Sequence, residues 1–482
     1  MPTLLHVSDL HRSPDEPIDN DTLLAAITAD LDRFAMVHEA PEALVVSGDL
    51  VQGVKLGSND FDREMGRQYE TAFDFVRRLC DEVLGGDRSK VVIVPGNHDV
   101  CWNTSREALE PVAPNGFPKD LRRSLAERDG RFRWSWDEQR LYRVTDEAAY
   151  RRRLGSYWDA VESFYRDVDL PLPIDRERGF HLYRIFDDRM LVAGFESTHR
   201  NDHLRYEAEL STGVVSRCAM HLRKLGGKPP LLAAVWHHSV HGPPNKEDYL
   251  NIEGIREMAG LGFQIGFHGH QHLAESTDLS VSIGGGATMC VVSAGSLCAS
   301  WRDLPRGTDR QYNIVRFDPS LASGTLHIRE MAEGNQFTGR TRGRFIDGSV
   351  PLAWSSRTSA AGKSVQPDEK RLRELTIEVE EASRRSRTTT ATKELLGLRP
   401  APGTYPRAVL LRALQVSQAW PEILETFWPP SGAEEAVATA EAAFRSGDLE
   451  RMEAVLARDE LPLTFREDFE ARRDLLKIGK RA

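Results

Sequence analysis

Cysteine is scarce in this chain of 482 residues: the five present, Cys80, Cys101, Cys218, Cys290 and Cys298, are odd in number, scattered and never in CxxC spacing. That excludes a disulfide framework and a zinc knuckle, and it leaves them as buried or bystander thiols. Long apolar runs are missing as well. None approaches the roughly 20 residues needed to cross a bilayer, so no membrane span is expected. Asp9 interrupts the apolar start of the chain before a signal peptide can form, and a cytoplasmic location is the expectation. Nor is basic charge in surplus: 63 Lys and Arg against 73 Asp and Glu give a formal net charge of -10. That balance supplies no general attraction to nucleic acid, although a local basic groove stays open. No fixed-period repeat or extended low-complexity tract is present.

What is there fits a soluble globular protein, with 40% hydrophobic and 28% charged residues. The length exceeds one ordinary core of about 100 to 200 residues, so two domains are expected, one of them large. Leu4 to Ser8, Ala43 to Ser47 and Val91 to Val94 read as short buried strands. Between them, Leu24, Ile27, Leu31 and Phe34 recur at helical spacing behind a cap at Asp21, and Tyr69, Phe73, Val76, Cys80 and Val83 mark a second helix face. Further strands are expected at Met190 to Gly194, Leu231 to Trp236, Phe263 to Phe267, Cys290 to Ser293 and Tyr312 to Phe317. This alternation predicts an α/β domain with a largely parallel sheet over residues 1–350.

From about 101 to 179 the strand pattern stops, and the stretch reads as a helical insertion over the sheet edge. Residues 351–370, with Ser355, Ser356, Ser359 and Gly362, read as a flexible linker. Beyond it, Leu372, Leu375, Val379 and Ala382 form one helical stripe, and Ser446, Gly447 and Asp448 read as a helix stop followed by an N-cap. Residues 371–482 are therefore expected to form a small all-α domain that can dock a protein partner or simply stabilise the chain.

Almost every predicted strand of the large domain runs into residues of metal-ligand type. Asp9 and His11 follow the first, Asp49 the second, and Asn97, His98 and Asp99 the third; His237 and His238, then His268, His270 and His272, follow two later ones. Side chains at the carboxyl ends of parallel strands converge on one edge. Singly each has a plain explanation, since an Asp after a strand is usually a turn residue and a lone His is usually a hydrogen-bonding one. Jointly and in order, the blocks Asp9-Leu10-His11, Gly48-Asp49, Gly96-Asn97-His98-Asp99, His237 and Gly269-His270-Gln271-His272 resemble the DxH, GD, GNH(D/E), H and GHxH set of the calcineurin-like metallophosphoesterases.

The resemblance covers residues 1 to about 340 with no block missing, and it implies a β-sandwich flanked by helices. It further implies that Asp9, His11 and His272 hold one divalent ion, that Asn97, His237 and His270 hold another, and that Asp49 bridges them. The donors suit Mn, Fe, Zn or Ni, with Mn the expected ion. In such enzymes two ions activate a shared water as hydroxide, which attacks the phosphate ester. His98 corresponds to the family histidine that stabilises the transition state or protonates the leaving oxygen, with Asp99 a candidate to orient it. His238 and His268 neighbour these ligands and are expected to face away from the ions. His6, His199, His203 and His241 are read as surface or core residues, and Gly48, Gly96 and Gly269 as turn supports.

In the insertion, Arg131, Arg133, Trp134, Trp136, Arg140 and Tyr142 have the types that grip phosphates and stack bases. Asp137, Glu138, Asp146 and Glu147 are interleaved with them, which favours a cap helix packed on the sheet with ordinary surface ion pairs. Three functions stay open: hydrolysis of a small phosphodiester or monoester such as a nucleotide; a metal-dependent DNA or RNA nuclease, given a resemblance to the nuclease subunits of double-strand-break repair complexes; and a non-catalytic scaffold acting through the helical tail.

Overall fold

The computed structural model describes residues 1–13, 18–127, 130–225, 231–240, 248–279, 289–300, 303–305, 307–332, 334–341, 348–354, 371, 372, 375, 376, 378, 379, 382, 390–401, 405–458, 460, 461 and 463–479. The chain divides into two compact units, one holding residues 1–280 and 288–357, the other residues 358–482 with 281–287.

In the first unit the strands in chain order are β1 Thr3–Val7, β2 Ala43–Val46, β3 Val91–Ile93, β4 Leu109–Pro111, β5 Phe132–Ser135, β6 Arg140–Val144, β7 Phe180–Ile185 and β8 Met190–Phe195. There follow β9 Leu231–Val235, β10 Ile265–His268, β11 Glu275–Leu279, β12 Met289–Ser293, β13 Gln311–Phe317, β14 Ser323–Ala332, β15 Gln336–Gly339 and β16 Ser349–Ala353. One sheet has the order β15-β14-β13-β1-β2-β3 with β16 on β14, the second the order β11-β12-β10-β9-β8-β7. Both are mixed where the strand and helix alternation suggested a largely parallel sheet, and the two sheets over one core are the sandwich that the resemblance implies. The strands β1, β2 and β3 pair in parallel, as do β8, β9, β10 and β12, whereas β13 to β16, β7 and β11 pair antiparallel.

The parallel strands are buried along their whole length, so they read as unbroken apolar runs. Leu5, Val7 and Val45 of the first sheet and Val192, Val235 and Phe267 of the second belong to one core. Each such side chain contributes about 1.5 to 3 kcal/mol by leaving water. Helices cover the sheets. Asn20–Ala35 buries Leu23, Leu24, Ile27, Leu31 and Phe34, and its cap is Asp19, not Asp21: the Asp19 side chain accepts from Thr22 N at 2.7 Å. Phe61–Leu84 buries Tyr69, Phe73, Val76 and Cys80, four of the five positions that its sequence spacing marks.

The insertion is not the helical cap that its sequence suggests. It contains short helices, but its arginine and tryptophan stretch forms a three-stranded antiparallel sheet in the order β4-β6-β5. The inward residues of β5 are Ser135 and Arg133, the latter 4% exposed, with its Nε 2.6 Å from Asp202 and its Nη2 donating to Tyr150. A charged residue on the buried face erases the apolar alternation by which a strand is recognised. Trp136 is 82% exposed, and Arg131 pairs with Glu147 at 3.0 Å, in line with the ion-pairing reading.

The second unit is helical, with Thr390–Gly397, Tyr405–Val416, Trp420–Thr426, Ala433–Arg445, Leu449–Leu456 and Leu463–Gly479. Leu375, Val379, Leu410, Phe427, Ala440 and Met452 share its core. Gly447 takes the left-handed conformation at φ +67°, and Asp448 accepts from Arg451 N at 3.0 Å, so the stop and cap stand where Ser446, Gly447 and Asp448 place them. A buried Arg407 pairs with Glu435 at 2.6 Å beneath the ring of Phe427. Residues 355–370, most of the expected linker, lie outside the described residues, while Ser349–Ala353 extends the first sheet past position 350. All five cysteines are buried thiols, none of them in a disulfide. Among the described residues no helix is long and apolar enough to cross a membrane.

Candidate metal centre

Five strand ends supply the site. The segments after β1 and β2 run side by side, with Asp9 N–H donating to the Gly48 carbonyl at 3.1 Å and His11 N–H to the Asp49 carbonyl at 3.0 Å. Asn97–Asp99 forms a short 3-10 turn after β3. His237 follows β9, and His270 and His272 follow β10; the Gly269 N–H donates to the His237 carbonyl at 3.0 Å. Asp9, His11, Asp49, His270 and His272 all have left-handed backbones, with φ of 53°, 44°, 52°, 75° and 54°. That conformation costs an L-residue about 1 to 2 kcal/mol, and such strain concentrates where a side chain must be presented at a fixed angle.

Three glycines make room for the ligands. A Cβ on Gly48 would meet His237 Nδ1 at 2.6 Å, one on Gly96 would meet Asp49 N at 2.5 Å, and one on Gly269 would meet Asp9 Oδ2 at 2.5 Å. Of the three, only Gly48, at φ +98°, also needs glycine for its turn. Space is thus the common reason for them, where the sequence suggested turning.

The seven predicted ligands come together. Around Asp9, Oδ1 lies 3.3 Å from His272 Nε2 and 3.8 Å from His11 Nε2, and the two imidazole nitrogens stand 3.1 Å apart. Around Asn97, Oδ1 lies 3.0 Å from His237 Nε2 and 3.1 Å from His270 Nδ1. Asp49 Oδ2 faces both groups, 3.2 Å from His237 Nε2 and 3.8 Å from His11 Nε2. Donors about 2.1 Å from one cation sit about 3.0 to 3.4 Å from each other, so the spacings fit a cation within each group. Four imidazoles, two carboxylates and an amide oxygen suit first-row divalent ions, and no thiolate is involved.

Backbone carbonyls aim the imidazoles. His237 Nδ1 donates to the Ser47 carbonyl and His272 Nδ1 to the Asp303 carbonyl, each at 2.8 Å, which leaves Nε2 of each ring as the metal-facing lone pair. Sequence reasoning missed these partners because a carbonyl carries no residue signature.

The electrostatics draw positive charge inward. Burial pushes the carboxyl of Asp49 up, but His237 and His98 outweigh it and hold the group far below the usual carboxylate range. Burial likewise raises Asp9, and His272 and His11 hold it well below that range. Burial lowers His237, yet Asp49 raises it to about 9, and Asp9 raises His272 against the same burial.

His98 stands over the centre, with a ring nitrogen within 4.8 Å of donor atoms of His11 and Asp49, and its backbone N–H donates to Asp49 Oδ1 at 2.8 Å. Its Nδ1 meets the Gln52 carbonyl at 2.8 Å. Asp99 is not its orienting partner, which corrects that assignment. The buried Asp99 carboxyl turns under the 3-10 segment, accepting from Gly96 N at 2.8 Å and from Tyr69 OH at 2.9 Å, and burial together with Asp49 pushes it up to about 7. His238 and His268 lie off the centre as expected. His238 Nδ1 meets Ser197 Oγ at 2.8 Å, and His268 stacks on Trp236. His6 is buried against Ser47 and Phe267, and His203 meets Ser105 Oγ at 3.0 Å. His199 is half-buried beside Arg153, and His241 lies outside the described residues.

The sequence model of the family described as calcineurin-like phosphoesterase matches residues 2–274, more than half of the chain. Among solved structures, a dimetal phosphatase from Danio rerio is 12% identical with a TM-score of 0.36, the match covering 73% of this chain and 99% of that one. A 5'-nucleotidase from Candida albicans is 11% identical with a TM-score of 0.36, covering 69% and 52%. The calcineurin-like phosphoesterase YfkN from Bacillus subtilis is 12% identical with a TM-score of 0.30, covering 76% and 93%. No curated protein matches the chain in sequence.

Proposed function

This chain belongs to the calcineurin-like phosphoesterases, and on that premise we propose that it hydrolyses a phosphate ester at a dinuclear metal centre. Asp9, His11 and His272 would hold one ion and Asn97, His237 and His270 the other, with Asp49 placed to serve both. The observation that carries this reading is the position of Asp49 Oδ2, within 3.8 Å of a nitrogen from each group. A pair of divalent cations supplies acidified water and neutralises charge on the phosphoryl oxygens. The mixed nitrogen and oxygen donors suit Mn, Fe, Zn or Ni, and Mn is the ion proposed.

The residues do the rest. Asp49 and Asp9 bring negative charge that a neutral donor set lacks, and the carbonyls of Ser47 and Asp303 keep His237 and His272 in the tautomer that offers Nε2. His98, anchored through Nδ1 to Gln52, presents Nε2 as the proton donor to the leaving oxygen when its ring is protonated. For the substrate, the net charge of -10 supports a small phosphodiester or monoester, nucleotides included, over nucleic acid.

The test is a side-by-side assay of nitrophenyl phosphate mono- and diesters, nucleotides, single-stranded and duplex DNA, and RNA, each with added Mn and with Asp49→Ala as the control. Turnover of small esters by the native chain alone is expected. Faster cleavage of nucleic acid would overturn the substrate class, and no turnover above Asp49→Ala with any first-row divalent metal would overturn catalysis itself.

A further inference from the structure

A cavity of about 850 Å³ lies in the insertion region, and none of its lining residues is one of the seven metal ligands. Its wall is cationic. Arg131, Arg133, Arg151, Arg153, Arg176 and Arg200 line it together with the exposed Arg152, and the carboxylates among them are Glu147, Glu177 and Glu196. Several of these cations are neutralised locally: Arg131 by Glu147, Arg151 by Glu177, Arg133 by Asp202, and Arg176 by Asp159 and Glu162.

The remaining three are compensated less directly. Arg153 is buried over the ring of Tyr150, and its hydrogen bonds run to the carbonyls of Tyr150, Thr198, His199 and Asn201, with Glu196 acting on it through charge alone. Arg152 has no carboxylate partner among the described residues. Arg200 is 2% exposed, with Glu209 at 3.7 Å and the Gly130 carbonyl at 3.3 Å, and its Nη1 has no hydrogen-bond acceptor. Burial, with Arg205 and Arg133 nearby, lowers the Arg200 guanidinium to about 10. Burial pushes the Glu196 carboxyl up, against the opposing charge of Arg153.

A buried guanidinium with a bare N–H is costly unless an acceptor arrives, and the planar fork of arginine matches phosphate oxygens in pairs. The volume falls in the range of roughly 300 to 1,000 Å³ that holds small ligands. We propose that this cavity binds a small polyphosphate anion, gripped by Arg200 and Arg152 with the charge of Arg153 behind them, at a site separate from the metal centre.

Inorganic tripolyphosphate is the probe, titrated calorimetrically into the full chain in chelator at about 0.15 M salt, where surface attraction is largely screened. One anion per chain is expected, with a matching rise in melting temperature. Arg200→Met and Arg152→Ala should each weaken binding about tenfold or more, sulfate should not compete at equal concentration, and Asp49→Ala should bind within about twofold of the native chain. If Arg200→Met fails to fold, as judged by circular dichroism, Arg200→Lys takes its place and should lose the same affinity by losing the fork. Absence of binding at about 1 mM would overturn the proposal, as would binding unchanged in both arginine variants. Loss of binding in Asp49→Ala would do so too, because it places the anion on the metal-ligand loops.

Discussion

Gly96→Ala tests the centre by steric means alone. Gly96 has φ -112° and ψ -175°, an extended backbone that alanine adopts freely, so the substitution stores no torsional strain. Its Cβ, however, would meet Asp49 N at 2.5 Å and Asp49 Cγ at 2.8 Å, with Oδ1 closer still. Ordinary carbon contacts lie at about 3.5 to 4 Å, so Asp49 must retreat by about 1 Å. That retreat opens the 2.8 Å bond from His98 N–H to Asp49 Oδ1 and carries Oδ2 away from His237 and His11. Overpacking of this kind costs about 1 to 3 kcal/mol of stability, and misplacement by about 1 Å costs about 100-fold in rate. Bound metal should fall from two ions per chain toward one, read by mass spectrometry of the desalted protein beside nitrophenyl ester turnover. Gly66→Ala is the matched control: Gly66 lies within Phe61–Leu84, and a Cβ there meets nothing within 4 Å. It should stabilise by about 0.5 to 1 kcal/mol and leave turnover alone. A Gly96→Ala protein that keeps both ions and turns over within about twofold of the native chain would refute the placement of Asp49 between the ions.

Three further outcomes are expected. His98→Ala should retain both ions while turnover drops about 100-fold or more, the scale of a positioned acid, and loss of metal would instead make His98 a ligand. Metal affinity should climb with pH: His237, raised to about 9 by Asp49, and His272, raised by Asp9, hold protons that a cation must displace. Each displaced proton steepens the climb by about tenfold per pH unit until pH passes about 9 for His237, so proton release during metal titration in two buffers is the readout, and its absence at neutral pH would contradict the assigned ligands. Removal of residues 371–482 should leave turnover of small esters largely intact, since every predicted ligand lies in the first unit; a folded but inert truncation would assign the tail a part in the site.

Legibility in the sequence followed burial. Strands enclosed on both faces, such as Ala43–Val46 and Leu231–Val235, are unbroken apolar runs and were readable. Of the strands that pair only antiparallel, Gln311–Phe317 was readable, but others were not where polar residues stand on their buried faces. In Ser323–Ala332, Glu330 is buried and accepts from Gln311, so the alternation set by Leu326 and Ile328 breaks off. In Phe132–Ser135 the inward positions are Arg133 and Ser135, and the partner of Arg133, Asp202, comes from 69 residues away. No local window contains the group that makes such a residue acceptable in a core, so a strand of this kind looks like a charged surface until the tertiary contact is known.

The centre itself divides along the same line. Residue types and their order identify Asp9, His11, Asp49, Asn97, His237, His270 and His272; the two-residue period of extended chain separates His237 from His238, and motif register selects His270 over His268. What presents these side chains stays hidden. An Asp or His gives no sign that its backbone is left-handed, and the carbonyls of Ser47, Gln52 and Asp303 aim three imidazoles without help from their own side chains. The one trace left in the sequence is negative. Gly48, Gly96 and Gly269 are each followed directly by a ligand residue; a ligand fills the volume where a Cβ would stand at the first two, and Ser8 together with Asp9 fills it at Gly269. A glycine before a metal-ligand residue type therefore carries more information than the ligand type alone, because it marks a place where two loops pass within touching distance and a side chain on either would part them.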